Sequence, residues 1–426
     1  MQIIGIDIGT TSICGIAMDA ERGVVLRSET VNSYAFIEGN EPFEKLQSPE
    51  KIVSLAMGIL DSLICGETVA IGVTGQMHGI VYTDENGKAI SPLYTWQDER
   101  GNQPYKGTTY AKYLGSFSGY GNVTDFYNRE NGLRPQEAVA YCTIHDYFVM
   151  RLCSLKRPLI HASDAASFGL YDLQNNRFDY EVNADIVTDY HMAGTYHNIP
   201  VSVAIGDNQA SVFSTLEDEE NVLLNVGTGS QVSVISDHIV EGDNIETRPY
   251  FENKFLVVGA ALCGGRAYSV LKDFYAQILG HVTQVKEEQV YAIMSSMLSA
   301  IERTSLTVDT RFAGTRKNAH ITGSITGITT ENFTPAEMTL GVLDGMVSEL
   351  YGLYRQMRIR KSGMVGSGNG IRKNEHFVKI AQAKFGTEMK IPAHMEEAAV
   401  GAAFFAAIAS GIFGNASEAQ QFIRYI

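Results

Sequence analysis

Two short turns rich in glycine and hydroxyl side chains are the segments of this sequence best suited to holding an anion. They are Asp7-Ile8-Gly9-Thr10-Thr11-Ser12 and Asn225-Val226-Gly227-Thr228-Gly229-Ser230, and each directly follows an apolar, β-branched run. Glycine lets backbone N–H groups approach an anion closely, and the hydroxyl groups add donors. One such turn alone is more often an ordinary hairpin turn. Two turns at matching places in two similar halves predict a duplicated clamp for nucleotide phosphates.

Asp207 is the candidate general base. It follows the apolar run from Val201 to Ile205 and precedes Asn208, where a helix is predicted to begin. Asp is a preferred N-cap residue, so a purely structural role stands beside the chemical one. A carboxylate at the end of a strand, beside a cleft between two domains, is also well placed to accept a proton from a substrate hydroxyl. The two roles are compatible.

Asp7 is the candidate metal-binding residue. It lies in the apolar run from Ile3 to Ile8, where a buried charge without a partner is costly. A magnesium ion, bound directly or through water, would supply that partner. A basic side chain or several backbone donors would do so equally well, and the sequence leaves these alternatives open.

Two polar segments combine donors, acceptors and aromatic surface. Gly75-Gln76-Met77-His78-Gly79 follows a predicted strand, and Thr95-Trp96-Gln97-Asp98-Glu99-Arg100 contains the only Trp of the chain. This combination suits a polyol ligand. The alternative is a buried loop network in which Trp96 fills a core.

A third glycine-rich turn, Gly366-Ser367-Gly368-Asn369-Gly370, lies between a predicted strand and the helical segment from Asn374 to Phe385. It could pass under an adenine or a ribose, or it could be a plain connection. Its spacing is not that of the dinucleotide-binding motif G-x-G-x-x-G. The motif G-x-x-x-x-G-K-[ST] is also missing from the sequence, which disfavours a P-loop enzyme.

The elements that must position these groups form a β-meander that occurs twice. The hydrophobic pattern and the helix start at Ser48-Pro49-Glu50 predict three strands, a helix and a fourth strand in the first half. The predicted strands are Gln2 to Ile8, Ile13 to Met18, Val24 to Leu26 and Val69 to Thr74, and then Val222 to Asn225, Gln231 to Ile235 and Phe255 to Ala260. We therefore predict an α/β protein of two related domains, with its site in the cleft between them. The stretch from Gly101 to Asp125 has no clear periodicity and is predicted to be a loop or lid.

Composition limits the class of protein. The 426 residues are too many for one core, and 45% hydrophobic with 19% charged residues is ordinary for a globular protein. The formal net charge of −15 argues against nucleic acid or an anionic membrane as a partner. Five scattered cysteines without a C-x-x-C pair indicate neither disulfides nor a zinc site. We expect a cytoplasmic protein, and the apolar stretch from Ala398 to Phe413 is short enough to be a buried helix.

The order of these motifs resembles that of the FGGY carbohydrate kinases. The resemblance extends over nearly the whole chain, and the ordered set is more specific than any one motif. Further segments look most like the family members that phosphorylate sedoheptulose. These segments are Thr95-Trp96-Gln97-Asp98, Thr143-Ile144-His145-Asp146-Tyr147, Arg157-Pro158-Leu159 with Ala165-Ala166-Ser167, and Arg248-Pro249-Tyr250-Phe251.

The resemblance implies two actin-like (ribonuclease H-like) α/β domains with an interdomain cleft that closes for chemistry. Residues 1–205 would bind the sugar and residues 206–426 would bind ATP. Asp207 would take the proton from the primary hydroxyl of the sugar, and Asp7 would help to hold Mg²⁺. The phosphates would contact Gly9, Thr10, Thr11, Gly227 and Thr228, and adenosine would contact Gly366, Ser367, Gly368 and Asn369. The sugar would be bound or framed by Gln76, Met77, His78, Trp96, Asp98 and Asp207, and the role of Arg100 is left open.

The implied activity is ATP-dependent phosphorylation of a ketose, with sedoheptulose the expected substrate and sedoheptulose 7-phosphate the product. Xylulose or another sugar of the family is the first alternative. An actin-like ATP-binding sensor without kinase activity is an alternative of a different class, although a sensor would need neither a base nor a polyol site. A small-molecule ketose is the expected partner, and a homodimer remains open.

Overall fold

The computed structural model describes residues 1–282, 284, 286–315, 318 and 320–426, and they form two compact units. The first unit consists of Met1–Glu217, Arg248–Lys254 and His394–Arg424. The second consists of Asp218–Thr247, Phe255–Ala393 and Tyr425–Ile426. The chain therefore leaves the first unit and returns to it twice.

The compact units do not divide at residues 205 and 206, where we predicted the boundary between a sugar-binding and an ATP-binding domain. The short strand Ile205–Gly206 pairs with Thr68–Gly75 of the first unit. The helix Asp207–Thr215, which begins directly after it, belongs to the first unit as well. The assignment of a ligand to each domain stays a prediction.

A seven-stranded sheet forms the centre of the first unit. Gln2–Ile8 pairs antiparallel with Ser12–Asp19 and parallel with Thr68–Gly75, and these central strands are covered on both faces. In spatial order the strands are Met192–Tyr196, Ile199–Ser202, Thr68–Gly75, Gln2–Ile8, Ser12–Asp19 and Val24–Asn32, with Ile205–Gly206 also beside Thr68–Gly75. The predicted meander and fourth strand are confirmed, and the third strand extends past Leu26 to Asn32.

The helix Pro49–Leu63 begins as its sequence predicts. The Ser48 side chain accepts a hydrogen bond from the backbone N–H of Lys51, which makes Ser48 the N-cap and Pro49 the first helical residue. The apolar side of this helix packs on one face of the sheet, where Gly15 leaves room for Ile59.

The opposite face of the sheet is covered by the helix Glu397–Ala409, which approaches the strands unusually closely. A Cβ atom at Gly5 would lie 1.9 Å from the carbonyl oxygen of Ala399, and one at Gly72 would lie 1.9 Å from that of Ala402. Glycine at both positions is what allows helix backbone to contact strand backbone. The prediction of a buried helix in this apolar stretch is confirmed.

The second unit repeats the order of the first four strands. Asn221–Val226 pairs antiparallel with Ser230–Ser236 and parallel with Gly363–Ser367. In spatial order the strands are Ile245–Pro249, Phe255–Ala261, Ser230–Ser236, Asn221–Val226, Gly363–Ser367 and Met389–Lys390. The predicted duplication is therefore confirmed.

Further elements complete the two units. The other helices are Tyr110–Tyr113, Gly121–Glu130, Ile144–Cys153, Ala162–Ser167, Gly264–Gly280, Glu287–Leu298, Pro335–Met357, Asn369–Arg372, Glu375–Phe385 and Ala416–Gln420. The other strands are Phe36–Ile37, Leu46–Gln47, Val81–Thr83, Leu93–Tyr94, Pro104–Tyr105, Thr108–Thr109, Ala140–Cys142, Leu159–His161, Tyr171–Asp172, Arg177–Phe178, Asp185–Val187, Thr307–Asp309 and Ser324–Thr326. Within the described ranges, none of the helices combines the length and the apolar character needed to cross a membrane.

The stretch predicted to be a loop or lid has regular structure. It contains a two-stranded hairpin, the helix Tyr110–Tyr113 and the start of Gly121–Glu130. Its tyrosines pack on one another, with the rings of Tyr105 and Tyr110 stacked 4.3 Å apart. These contacts have no regular spacing along the chain, so a search for periodicity could not detect them.

Candidate active site

Asp7 lies near the end of the first strand with a carboxylate oxygen that needs a partner. Its Oδ1 atom is buried and has no hydrogen-bond partner among the described residues. Burial, followed by the negative charge of Asp207, raises the pKa of Asp7 to about 7. The two carboxylates predicted to do chemistry are thus close enough to interact, and together they favour a bound cation or proton.

This electrostatic strain predicts a pH-dependent gain in stability for Asp7→Asn. Because the folded pKa of about 7 is above the usual value of 3.8, the folded protein holds the proton more tightly than the unfolded chain. The wild type therefore loses stability as the pH rises from about 4 to about 7. We expect the melting temperature of Asp7→Asn to exceed that of the wild type by a few degrees at pH 8 and by less at pH 5. Glu85→Gln, in an exposed turn, is the control, and a difference that does not grow with pH would contradict the argument.

Asp207 is the first residue of its helix and not the N-cap. Gly206 occupies the cap position, with extended backbone angles. The preceding strand is fixed because Thr74 donates a hydrogen bond to the carbonyl of Ile205 over 2.7 Å, and the N–H of Gly206 donates to Ser163 over 3.0 Å. The cap interpretation of Asp207 is therefore wrong, and the carboxylate is positioned by the residues before it.

Two positive groups act on the Asp207 carboxylate. Burial raises the pKa of Asp207 to about 6, while the positive charges of His145 and Arg248 oppose that rise. His145 is fully buried, with Nε2 3.0 Å from Oδ1 of Asp164. Burial lowers the pKa of His145, but the charge and hydrogen bond of Asp164, together with the charges of Asp146 and Asp207, outweigh burial and raise the pKa to about 9. A buried imidazolium thus balances the carboxylates around it.

Sequence reasoning did not assign chemistry to His145 or Arg248. Both lie in segments whose only sequence signal is the resemblance to the FGGY kinases. The ion pair of His145 joins it to Asp164, nineteen residues away, so the local sequence gives no signal for it. Arg248 belongs to the segment Arg248–Lys254, which returns to the first unit from the second half of the chain. A local sequence pattern cannot predict such a return.

The turn from Asp7 to Ser12, the first phosphate turn, contacts the segment from Gly75 to Gly79, which is predicted to bind sugar. The Thr10 hydroxyl donates to Oε1 of Gln76 over 3.2 Å and accepts from Nε1 of Trp96 over 3.0 Å. Gln47 extends the network, since its amide bonds to the carbonyl of Thr10 and to the Gln76 side chain. Trp96 is 46% exposed and therefore does not fill a core. Its ring is available to a ligand beside the phosphate turn.

His78 is held in an unusual backbone conformation beside this network. Its φ of 73° is rare for a residue with a side chain and marks a strained, well-supported position. Its Nδ1 lies 2.8 Å from the carbonyl of Ser167, and its ring stacks on that of Tyr120 at 4.2 Å. These contacts aim the imidazole, which remains partly accessible.

Met77 and Asp98 are buried in the protein. Met77 is 4% exposed and packs against Gly206, where a Cβ atom would lie 2.8 Å from the Met77 sulfur. Asp98 is 1% exposed and pairs with Arg100, with Oδ1 2.6 Å from Nε. Arg100 also lies over the ring of Tyr94, at 4.2 Å. The structure gives these three residues supporting positions, and direct contact of Met77 and Asp98 with a sugar stays a prediction.

In the second unit a cavity of about 1010 Å³ opens beside the second phosphate turn. Gly227, Thr228, Gly368 and Asn369 line it, and their contact with a nucleotide stays a prediction. Gly366 and Ser367 do not line it. A Cβ at Gly366 would meet Met389 at 2.3 Å, and the Ser367 hydroxyl accepts a hydrogen bond from Asn225, so these residues support the cavity from behind.

The second phosphate turn packs on the beginning of the helix Gly264–Gly280. The N–H groups of Gly265 and Arg266 donate to the carbonyls of Gly227 and Thr228, each over 3.0 Å. A Cβ at Gly265 would lie 2.4 Å from the Gly227 oxygen, so the contact requires glycine. Both N–H groups are therefore already paired, and through these bonds the helix start fixes the position of the glycine turn.

The cavity also contains residues that sequence reasoning missed. Arg266 and Tyr268 line it, and the sequence signal for them was the Gly264-Gly265 pair at a strand-to-helix junction. Lys373, which follows the third glycine-rich turn, lines it too.

The described residues contain no cluster of three or more His, Cys, Asp or Glu side chains arranged to hold a metal ion. A magnesium-nucleotide site does not need such a cluster, because one or two carboxylates and the phosphates share the ion. Asp7, with its unpartnered oxygen, is a suitable donor for such a site.

Two family profiles match most of the chain. The N-terminal domain of the FGGY family of carbohydrate kinases matches residues 2–109, and the C-terminal domain matches residues 222–410. The chain belongs to the FGGY family of carbohydrate kinases. It is therefore a carbohydrate kinase, a phosphotransferase, as the resemblance implied.

Individual FGGY kinases are similar over nearly their full length. Sedoheptulokinase of Mus musculus is 28% identical over 448 residues, which cover 90% of this chain and 92% of the relative. Ligand-bound xylulose kinase from Lactobacillus acidophilus has a TM-score of 0.83 at 19% identity, covering 100% of this chain and 92% of that one. Plasmodium falciparum glycerol kinase with ADP has a TM-score of 0.75 at 17% identity, covering 99% and 92%. The actin-like fold predicted for this FGGY kinase is thereby confirmed.

Proposed function

We propose that this FGGY kinase transfers the terminal phosphoryl group of ATP to a primary hydroxyl of a ketose, with sedoheptulose as substrate and sedoheptulose 7-phosphate as product. The observation that carries the proposal is the position of Asp207. Its carboxylate interacts with Asp7, at the end of the strand that leads into the phosphate turn, and the polyol-type network of Gln76 and Trp96 is bonded to the same turn. The similarity to sedoheptulokinase supports this choice of ketose.

In the proposed reaction the sugar oxygen attacks the γ-phosphorus of ATP. The bond between that phosphorus and the β–γ bridging oxygen breaks, ADP leaves, and the hydroxyl proton passes to Asp207. The raised pKa of about 6 keeps Asp207 mostly ionised at neutral pH while making it a better base than an ordinary carboxylate. Phosphoryl transfer depends mainly on positioning and charge stabilisation, so few reactive side chains are needed.

The phosphates would be held from glycine-hydroxyl turns. Gly9, Thr10 and Thr11 would face the terminal phosphate, and Gly227 and Thr228 would contact the phosphate chain. Magnesium, when bound with ATP, would neutralise charge on the phosphates, and Asp7 would hold it directly or through water. The unpartnered Oδ1 atom and the raised pKa of Asp7 support that assignment.

Adenosine would occupy the cavity of the second unit, against Gly368 and Asn369. Its volume and its lining of glycine backbone, Tyr268 and Arg266 support a nucleotide ligand. The role of Gly368 in nucleotide binding can therefore be tested with ADP alone, without a sugar.

We expect Gly368→Ala to weaken ADP binding by about tenfold or more, since a small displacement of a binding turn has a large effect. Gly368 has a φ of 85°, and an added Cβ would lie 2.5 Å from the carbonyl oxygen of Val226, within the second phosphate turn. Gly386→Ala is a matched control, because Gly386 also has a positive φ, of 74°, but an added Cβ meets nothing within 4 Å. Isothermal titration with ADP is the measurement, and equal affinities of the two variants would contradict the assignment.

The substrate is tested by coupled ADP release with magnesium ATP and a panel of sedoheptulose, xylulose, ribulose, fructose and glycerol, with the product mass confirmed. Turnover mainly on sedoheptulose supports the full proposal. Preference for xylulose or another sugar would keep the reaction and overturn the substrate. ADP binding without turnover on any sugar would favour the nucleotide-binding sensor.

A further inference from the structure

The outer strand of the first sheet, Val24–Asn32, offers an exposed edge. It is last in the strand order and pairs with Ser12–Asp19 on one side. Three consecutive apolar side chains are exposed on it: Val24 by 47%, Val25 by 36% and Leu26 by 54%. The outer side of such a strand presents backbone donors and acceptors to any further strand. This edge therefore favours pairing with an additional strand.

Symmetry limits how two copies of this strand can pair. A two-fold axis perpendicular to the sheet relates two antiparallel strands and keeps each face of the sheet on the same side. Residues opposite each other must then have their side chains on the same face. Because successive side chains alternate between the two faces, this is possible only when the axis passes through the position of one residue of the strand, and not midway between two neighbouring residues. Each residue of the strand defines one allowed register.

One register gives full overlap and opposite charges. With the axis beside Ser28, the middle residue of the nine-residue strand, Val24 lies opposite Asn32 of the second copy. Arg27 then lies opposite Glu29 of the second copy, and the symmetry repeats this pair. An axis beside Arg27 or Glu29 would instead place like charges opposite each other, which is unfavourable.

We infer that Val24–Asn32 pairs antiparallel with the same strand of a second copy, centred on Ser28, and joins the two sheets into one across a homodimer. The Glu29 side chain lies on the face covered by the helix Pro49–Leu63, because its Oε2 accepts a hydrogen bond from Ser62 over 2.6 Å. Arg27 shares that face, since it is two residues away. The irregular pairing between Ala17 and Met18 affects the strand at Leu26, outside the central Arg27–Glu29 segment.

The test is the mass of the full-length protein in solution at micromolar concentration, by sedimentation velocity with light scattering. The wild type is expected at twice the chain mass of 46.6 kDa. Arg27→Glu places two acidic pairs across the axis and is expected to raise the dimer dissociation constant at least about tenfold. The double variant Arg27→Glu with Glu29→Arg restores opposite charges and is expected to restore the dimer.

Arg22→Glu is the matched control, because it makes the same change of charge in the turn before the strand, and it should leave the dimer intact. A monomeric wild type would overturn the inference. A dimer unaffected by Arg27→Glu, or one that the double variant fails to restore while remaining folded by circular dichroism, would show that a different surface is used and would overturn it as well.

Discussion

Asp207→Asn is expected to lower the turnover number for sugar-dependent ADP release by about 10²–10⁴-fold, the usual contribution of a general base. Asparagine has nearly the shape of aspartate but cannot accept the proton of the sugar hydroxyl. The hydrogen bonds that place residue 207 involve the backbone of Ile205 and Gly206, so the helix should form normally in the variant. Initial rates at saturating sugar and ATP, together with ADP titration, make the measurement.

The expected pattern is a large loss of turnover with unchanged ADP affinity. Glu50→Gln is the control, because it also neutralises an acidic residue in the first turn of a helix of the first unit, but at an exposed position. It should retain full activity. If Asp207→Asn kept more than about a tenth of the wild-type turnover, the base would have to be another group.

Gly72→Ala is expected to destabilise the first unit severely. The added Cβ would lie 1.9 Å from the carbonyl oxygen of Ala402 and 2.4 Å from its carbon, and backbone atoms cannot rotate away as a side chain could. The helix Glu397–Ala409 would have to move off the sheet, which we expect to cost about 3 kcal/mol or more. Thermal unfolding should shift down by roughly 6–12 °C, or the variant should fail to fold.

Gly58→Ala separates this steric effect from the general effect of replacing glycine. Gly58 lies on the exposed side of the helix Pro49–Leu63, where a Cβ meets nothing within 4 Å. Alanine favours a helix over glycine by about 1 kcal/mol, so this variant should melt at the same temperature or slightly higher. A melting temperature of Gly72→Ala within two or so degrees of wild type would show that the close contact is not needed.

The sequence was sufficient to predict the strands around both phosphate turns. Central strands are continuous apolar runs, and the turn residues Gly9 and Gly227 mark where each ends, so a local pattern carries the information. The same applies to the helix start at Ser48 and Pro49, where capping and backbone preferences act within four residues.

What the sequence did not reveal depends on contacts between distant parts of the chain. Arg248 acts on Asp207 only because a segment from the second half returns to the first unit. The buried ion pair of Asp98 and Arg100 could not be predicted from the sequence, because two charged residues two positions apart are more often exposed. The roles of Gly366 and Ser367 behind the cavity likewise depend on Met389 and Asn225.

The two returns of the chain to the first unit have a consequence for synthesis. Residues 1–217 leave the ribosome long before His394–Arg424, and at 5–20 residues per second the delay is about 10–35 s. During that time the sheet face at Gly5 and Gly72 lacks its covering helix, and the nascent chain exposes apolar surface that a chaperone could bind. An early stop codon, even one that removes only the last thirty or so residues, would leave this half of the protein permanently incomplete.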